Sequence, residues 1–163
     1  MSVTITEMER KYLGDALDVY RWYVLNSTAT FQIAEPSESQ MESLLFFDTG
    51  RYRSFALIVE GRFAGYGIVT RFKPREAFDR TAEVTLYLAQ HATGKGYGPR
   101  LLAHLEDFAR AQEMHSLVAL VTGSNHPSVA LFERALYAKC AHFHEVGFKF
   151  GQTLDLVCFE KLL

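Results

Sequence analysis

Apolar positions recur along this chain with two periods. Ser2–Thr6, Ala138–Glu145 and Thr153–Leu162 alternate apolar with polar residues, as half-buried strands do. Ser54–Glu60 and Phe63–Phe72 are two further strand-like stretches, with Glu60-Gly61-Arg62 as the turn between them. Leu117–Val121 is short and continuously apolar, which fits a buried strand. Elsewhere the spacing is helical. Asp15–Leu25 places Ala16, Val19, Tyr20 and Tyr23 on one side, and Ser128–Leu136 does the same with Val129, Leu131, Phe132 and Leu136. Ser37 followed three residues later by Gln40 is a capping-box pattern, and it predicts a helix running through Phe47. The order βααβββαβαββ suits an α/β chain with a mixed sheet and helices on both faces.

The stretch from Ala82 to Arg110 organises the rest. Ala82–Leu88 reads as a strand. Ala82, Val84, Leu86 and Leu88 form its core face, and Thr81, Glu83, Thr85 and Tyr87 its polar face, with Glu83 the one acid. Gly94-Lys95-Gly96-Tyr97-Gly98 follows as a glycine turn. Pro99 then reads as the first residue of a helix whose stripe is Leu101, Leu102, Leu105, Phe108 and Ala109. Without Cβ atoms the turn admits a ligand close to the backbone, and free N–H groups at a helix N-terminus favour phosphate. A Walker A loop needs Ser or Thr after Gly-Lys, where this chain has Gly96. A dinucleotide fingerprint needs G-x-G-x-x-G and an acid ending the next strand, and neither is present.

At 163 residues the chain is read as one domain, 1–163. A net charge of −2 and a pI near 6.3 give no electrostatic case for nucleic acid or for an anionic membrane as partner. The N-terminus has no apolar signal region, and the chain is expected to be cytoplasmic. Cys140 and Cys158 are read as buried thiols. His142 and His144 lie two apart on one strand face, but no Cys or acid at ligand spacing completes a site, so no metal is expected.

The glycine turn with its flanking strand and helix resembles motif A of the GNAT-type N-acetyltransferases. Phe72-Lys73-Pro74-Arg75-Glu76-Ala77-Phe78-Asp79-Arg80-Thr81-Ala82-Glu83 is similar to the phosphinothricin and methionine-sulfoximine acetyltransferase branch. So are Asn26–Phe31, Asn125 with Ser128, and Val146–Gly151. The resemblance implies a mixed, mostly antiparallel GNAT-like sheet, acetyl-CoA as co-substrate, a small-molecule amine as acceptor and a homodimer. It implies a pyrophosphate held by Gly94, Lys95, Gly96, Tyr97, Gly98 and Pro99, with Leu86, Tyr87 and Leu88 binding the rest of acetyl-CoA through the main chain and Asn125 through its amide. It implies Glu83 as general base, and Phe31, Lys73, Arg75, Glu76 and Phe78 near the acceptor.

The chemistry agrees with that assignment. An amino-acid amine arrives mostly protonated at neutral pH and needs a base before it can attack a thioester. Lys73, Arg75 and Arg80 supply positive charge for an acceptor carboxylate, and Arg holds carboxylates bidentately. The chain departs from the branch at Thr93 (usually Gln or Arg), Phe72 (Trp), Phe78 (Tyr), Arg80 (an aromatic) and Phe132 (a Tyr in many GNAT enzymes). A polyamine or a protein N-terminus is the alternative acceptor. A non-catalytic acetyl-CoA-binding module is the alternative class, and it would not require Glu83.

Overall fold

The computed structural model describes all residues, 1–163. Seven strands form one sheet in the order β1-β2-β3-β4-β5-β7-β6. They are β1 (Val3–Glu7), β2 (Arg53–Val59), β3 (Arg62–Arg71), β4 (Thr81–Leu88), β5 (Ser116–Thr122), β6 (Ala138–Lys149) and β7 (Gln152–Leu162). Every pairing is antiparallel except β4 with β5. Four helices cover the sheet: α1 (Leu13–Asn26), α2 (Glu38–Leu45), α3 (Tyr97–Ala111) and α4 (His126–Arg134).

The strand alternation sorts side chains onto two faces. Val69, Ala82 and Val84 meet Leu102, Leu105 and Ala109 of α3 and Phe132 of α4 in one core. Tyr66 and Ile68 meet Ala16, Tyr20 and Val24 of α1 and Met41 and Leu45 of α2 in the other. Gly67 lets α3 lie close, since a Cβ there would stand 2.8 Å from a Leu105 methyl.

Several boundaries differ from the sequence expectation, each for a local reason. The capping box forms, with Gln40 N–H donating to Ser37 Oγ at 3.1 Å and Ser37 N–H to Gln40 Oε1 at 2.9 Å. The helix nevertheless stops at Leu45, not Phe47. Phe46 is extended, the Ser54 hydroxyl donates to the Leu45 carbonyl, and Phe47 turns aside against Tyr52. Glu60 and Gly61 both have positive φ (51° and 75°), so they alone make the β2–β3 turn and Arg62 belongs to β3. Gly147–Lys149 is strand rather than loop, and Phe150 and Gly151 (φ 51° and 73°) turn the chain into β7. Cys158 is buried, whereas Cys140 is exposed at a register shift in β6; its thiol donates to the Cys158 carbonyl at 3.4 Å. No helix is long and apolar enough to cross a membrane.

Candidate active site

β4 pairs with β3 from Ala82 to Leu88 but with β5 only at Thr81, Ala82 and Glu83. Beyond Glu83 the two strands part. Ala89 N–H donates to the Ala64 carbonyl at 2.9 Å. In an antiparallel ladder alternate residues share partners, so Tyr87, Thr85 and Glu83 also direct their main-chain groups to β3. Leu86 and Leu88 direct theirs into the gap. The Leu88 carbonyl is taken by the Tyr23 hydroxyl at 2.6 Å, which leaves Leu88 N–H and both Leu86 groups facing the gap. Tyr87 main chain is occupied by Tyr66. Its contribution is a ring packed among Tyr20, Tyr23 and Tyr66, where burial raises the pKa of its hydroxyl and keeps it protonated.

At the open end of the gap stands the glycine turn. Gly94 and Gly96 have φ of 71° and 80°, and a Cβ on either would meet nothing within 4 Å. Gly96 is the N-cap of α3, and no side chain caps that end. Pro99 is therefore the third helical residue rather than the first, still within the turn where its missing N–H costs nothing. Tyr97 sends its ring into a small core with Leu57, Ala64 and Ala92 and offers only its N–H outward. Lys95 is exposed beside it. These uncapped amides at a helix N-terminus, with open space above the glycines, fit a pyrophosphate.

Asn125 caps α4, its Oδ1 accepting from Ser128 N–H at 3.3 Å, so only its NH₂ remains for a ligand. Phe132 is buried against Tyr137 and Phe159 and presents no proton donor.

Glu83 lies at the fork itself. It is partly buried and makes neither a hydrogen bond to the protein nor an ion pair. Burial raises its pKa, while the positive charge of Lys73 pulls it down. The only residue of the 72–80 segment whose charge registers on Glu83 is thus Lys73, which rests over the Phe72 ring. Arg75, Glu76 and Phe78 are exposed on the same segment, Phe78 edge-on to Phe72 at 5.9 Å. Arg71 is held back against Asp79 and the Tyr52 ring.

The crossing after α1 closes the near side. Thr30 is buried, its hydroxyl 3.1 Å from that of Tyr20 and its carbonyl accepting from Lys149 Nζ at 2.9 Å. Thr122 at the end of β5 donates to the Thr28 carbonyl at 2.7 Å. Phe31 stands against Gly147, where a Cβ would come within 2.7 Å of the ring. Lys149 is 2 % exposed, and burial lowers its pKa. Its partner lies 119 residues away, which no local pattern reveals.

A strand pair that parts beside a glycine-capped helix, with an unpaired carboxylate at the fork, makes a cleft suited to an extended ligand that carries a phosphate. Residues 16–136 match the acetyltransferase (GNAT) family, and the chain belongs to that family. It is an acetyl-CoA-dependent N-acetyltransferase. It is 31% identical over 160 residues to an L-methionine sulfoximine/L-methionine sulfone acetyltransferase of Pseudomonas aeruginosa, covering 96% of this chain and 92% of that one. A GNAT superfamily phosphinothricin acetyltransferase of Sinorhizobium meliloti, solved in complex with acetyl-CoA, superposes with a TM-score of 0.92 at 28% identity, covering 100% of this chain and 89% of that one. A ribosomal-protein-alanine N-acetyltransferase of Brucella melitensis superposes with a TM-score of 0.90 at 29% identity, covering 98% and 99%.

Proposed function

We propose that this enzyme acetylates the amino group of a small amino-acid-like acceptor of the phosphinothricin, methionine sulfoximine or methionine sulfone type, with Glu83 as general base. The observation that carries the proposal is the Glu83 carboxylate, half-buried and without a protein partner where β4 and β5 part. A carboxylate so placed has an open lone pair, and its raised pKa makes it a stronger base than a free glutamate.

In this reading acetyl-CoA supplies the acetyl group as a thioester. Leu86 and Leu88 hold the cofactor's arm through the main chain, Gly94–Pro99 its pyrophosphate, and the Asn125 amide adds a donor. Glu83 takes a proton from the acceptor's ammonium, directly or through one water, and the free amine attacks the thioester carbon; the C–S bond then breaks, and CoA leaves as a thiolate that takes up the second proton the nitrogen sheds. Lys73 and Arg75 hold the acceptor's acidic group, with Glu76 and Phe78 on the same segment and Phe31 across from it. The kinship to methionine sulfoximine and phosphinothricin acetyltransferases supports an acceptor of this kind. The basic segment ahead of Glu83 speaks against a polyamine, which needs acids.

The homodimer expectation finds support in β6, an edge strand. Phe143, Val146 and Phe148 are 50%, 59% and 66% exposed there, and Phe150 in the turn that follows is 57% exposed, more apolar surface than a monomer's edge usually leaves to water.

The test is CoA release measured across methionine sulfoximine, methionine sulfone, phosphinothricin, spermidine and an alanine-terminated peptide. Turnover with the first group and not with spermidine is the expected result; preference for the peptide would assign a protein N-terminus instead. Glu83→Gln should lower turnover about 100-fold, roughly 2.7 kcal/mol of barrier, with acetyl-CoA affinity retained. Wild-type turnover in that variant at neutral pH would remove Glu83 as the base.

A further inference from the structure

His142 and His144 gain in three dimensions the acid that their sequence neighbourhood lacks. The β6–β7 ladder pairs Phe143 with Leu156 and then Gly147 with Leu154, so Asp155 faces a bulge formed by residues 144–146. Glu145 takes a positive φ of 55° at that bulge. The two imidazoles stack with centroids 4.0 Å apart and planes 7° from parallel. His142 Nε2 is 2.8 Å from Asp155 Oδ2. Asp155 Oδ1 accepts from Glu145 N–H at 2.8 Å, which fixes the direction of the carboxylate. One ligand atom from each of His142, His144 and Asp155 lies within 4.8 Å of the others.

From this geometry we infer a divalent-metal site, with zinc-like ions the class it suits. Two imidazoles and one carboxylate are the donor set of zinc sites that keep an open coordination position. Ligand atoms bound at about 2.1 Å in a tetrahedral shell lie roughly 3.4 Å apart, so adjustments on the order of 1 Å in exposed side chains complete the shell. The Glu145 amide serves as the outer hydrogen bond that orients a ligating carboxylate. One group opposes the site: the Lys139 ammonium lies 2.9 Å from His142 Nδ1. Lys139 is exposed and is free to swing into the adjoining cleft of about 340 Å³, where Glu133 also lies.

The site is separate from the acetyl-transfer chemistry. His142 pairs in register with Val157, whose side chain belongs to the α3–α4 core, whereas Glu83 alternates onto the opposite face of the sheet. Its role is to pin the bulge that leads into Gly147 and to tie it to the exit of β5, where Gly123 N–H donates to the Asp155 carbonyl at 2.9 Å.

The experiment uses untagged, chelator-treated full-length protein titrated with Co²⁺ and then Zn²⁺. Expected are one Co²⁺ per chain with a visible d–d absorption band, displacement of that band by Zn²⁺, and a melting temperature raised by Zn²⁺. His144→Ala and Asp155→Asn should each weaken binding about tenfold or more and abolish the thermal shift, while their metal-free melts and far-UV circular dichroism stay close to wild type. His115→Ala, outside the cluster, should bind as wild type does. Absence of a saturable single site, or binding undiminished in both cluster variants, would overturn the assignment.

Discussion

At the scale of single residues, the proposed chemistry turns on Glu83 and Lys73. Burial makes the Glu83 carboxyl harder to ionise, and Lys73 partly offsets this. Removing Lys73 therefore leaves burial unopposed. Lys73→Ala is expected to move the acidic limb of the kcat/KM–pH profile upward, measured with an acceptor lacking a carboxylate so that binding does not change with it. Arg75, which carries no such influence on Glu83, should behave differently. Arg75→Ala is expected to raise KM for amino-acid acceptors several-fold more than for simple amines, with the pH limb unmoved; equal losses for both acceptors would place Arg75 outside the pocket. Glu83 also has a consequence for stability. A carboxyl with a folded-state pKa above its unfolded value binds its proton more tightly when folded, so stability declines as pH rises from the ordinary glutamate range through the raised value. Glu83→Gln should thus melt higher than wild type near pH 7, and the difference should vanish below the ordinary glutamate range.

At the scale of elements, two places test the proposed ligand sites. The first is the α3 N-terminus. Gly96 has φ +80° with open space above it. Asn tolerates the left-handed region at little cost, and Asp differs from it mainly by its charge. Gly96→Asn should keep most of the acetyl-CoA affinity, and Gly96→Asp should lose about tenfold more, by calorimetry, because its carboxylate faces the phosphates. Equal affinities would put the pyrophosphate elsewhere. The second joins the 27–32 crossing to β6. A methyl at Gly147 would overlap Phe31 at 2.7 and 2.8 Å, so the ring must swing outward. Gly147→Ala should cost about 1 kcal/mol of stability and raise acceptor KM while leaving acetyl-CoA binding unchanged. An unchanged acceptor KM would show that Phe31 does not line the pocket.

At the scale of the whole molecule, the exposed apolar side chains of β6 set the association expected in solution. Light scattering at micromolar concentration should give twice the chain mass of 18.5 kDa. Phe148→Glu, which places a charge among those exposed apolar side chains, should give the monomer with the fold intact. A wild-type protein that is monomeric while active would refute the dimer.

The sequence by itself determined what depends on neighbours in the chain. The Ala82–Leu88 alternation, the Gly94–Gly98 turn, the Ser37–Gln40 box and the α3 stripe are local patterns, and each appears in the structure because backbone conformation and facing are set over a few residues. Even there the ends shifted wherever a distant group intervened, as Ser54 did at Leu45 and the Phe150-Gly151 turn did after Lys149. What only the tertiary structure decided depends on which strands meet and where they part. That β4 leaves β5 after Glu83 frees Leu86 and Leu88 but not Tyr87, a distinction of hydrogen-bond direction that no spacing in the sequence carries. That Lys149 meets Thr30, and that Asp155 meets His142 and His144, follows from register across the sheet, which is fixed by packing of the whole core rather than by any one segment.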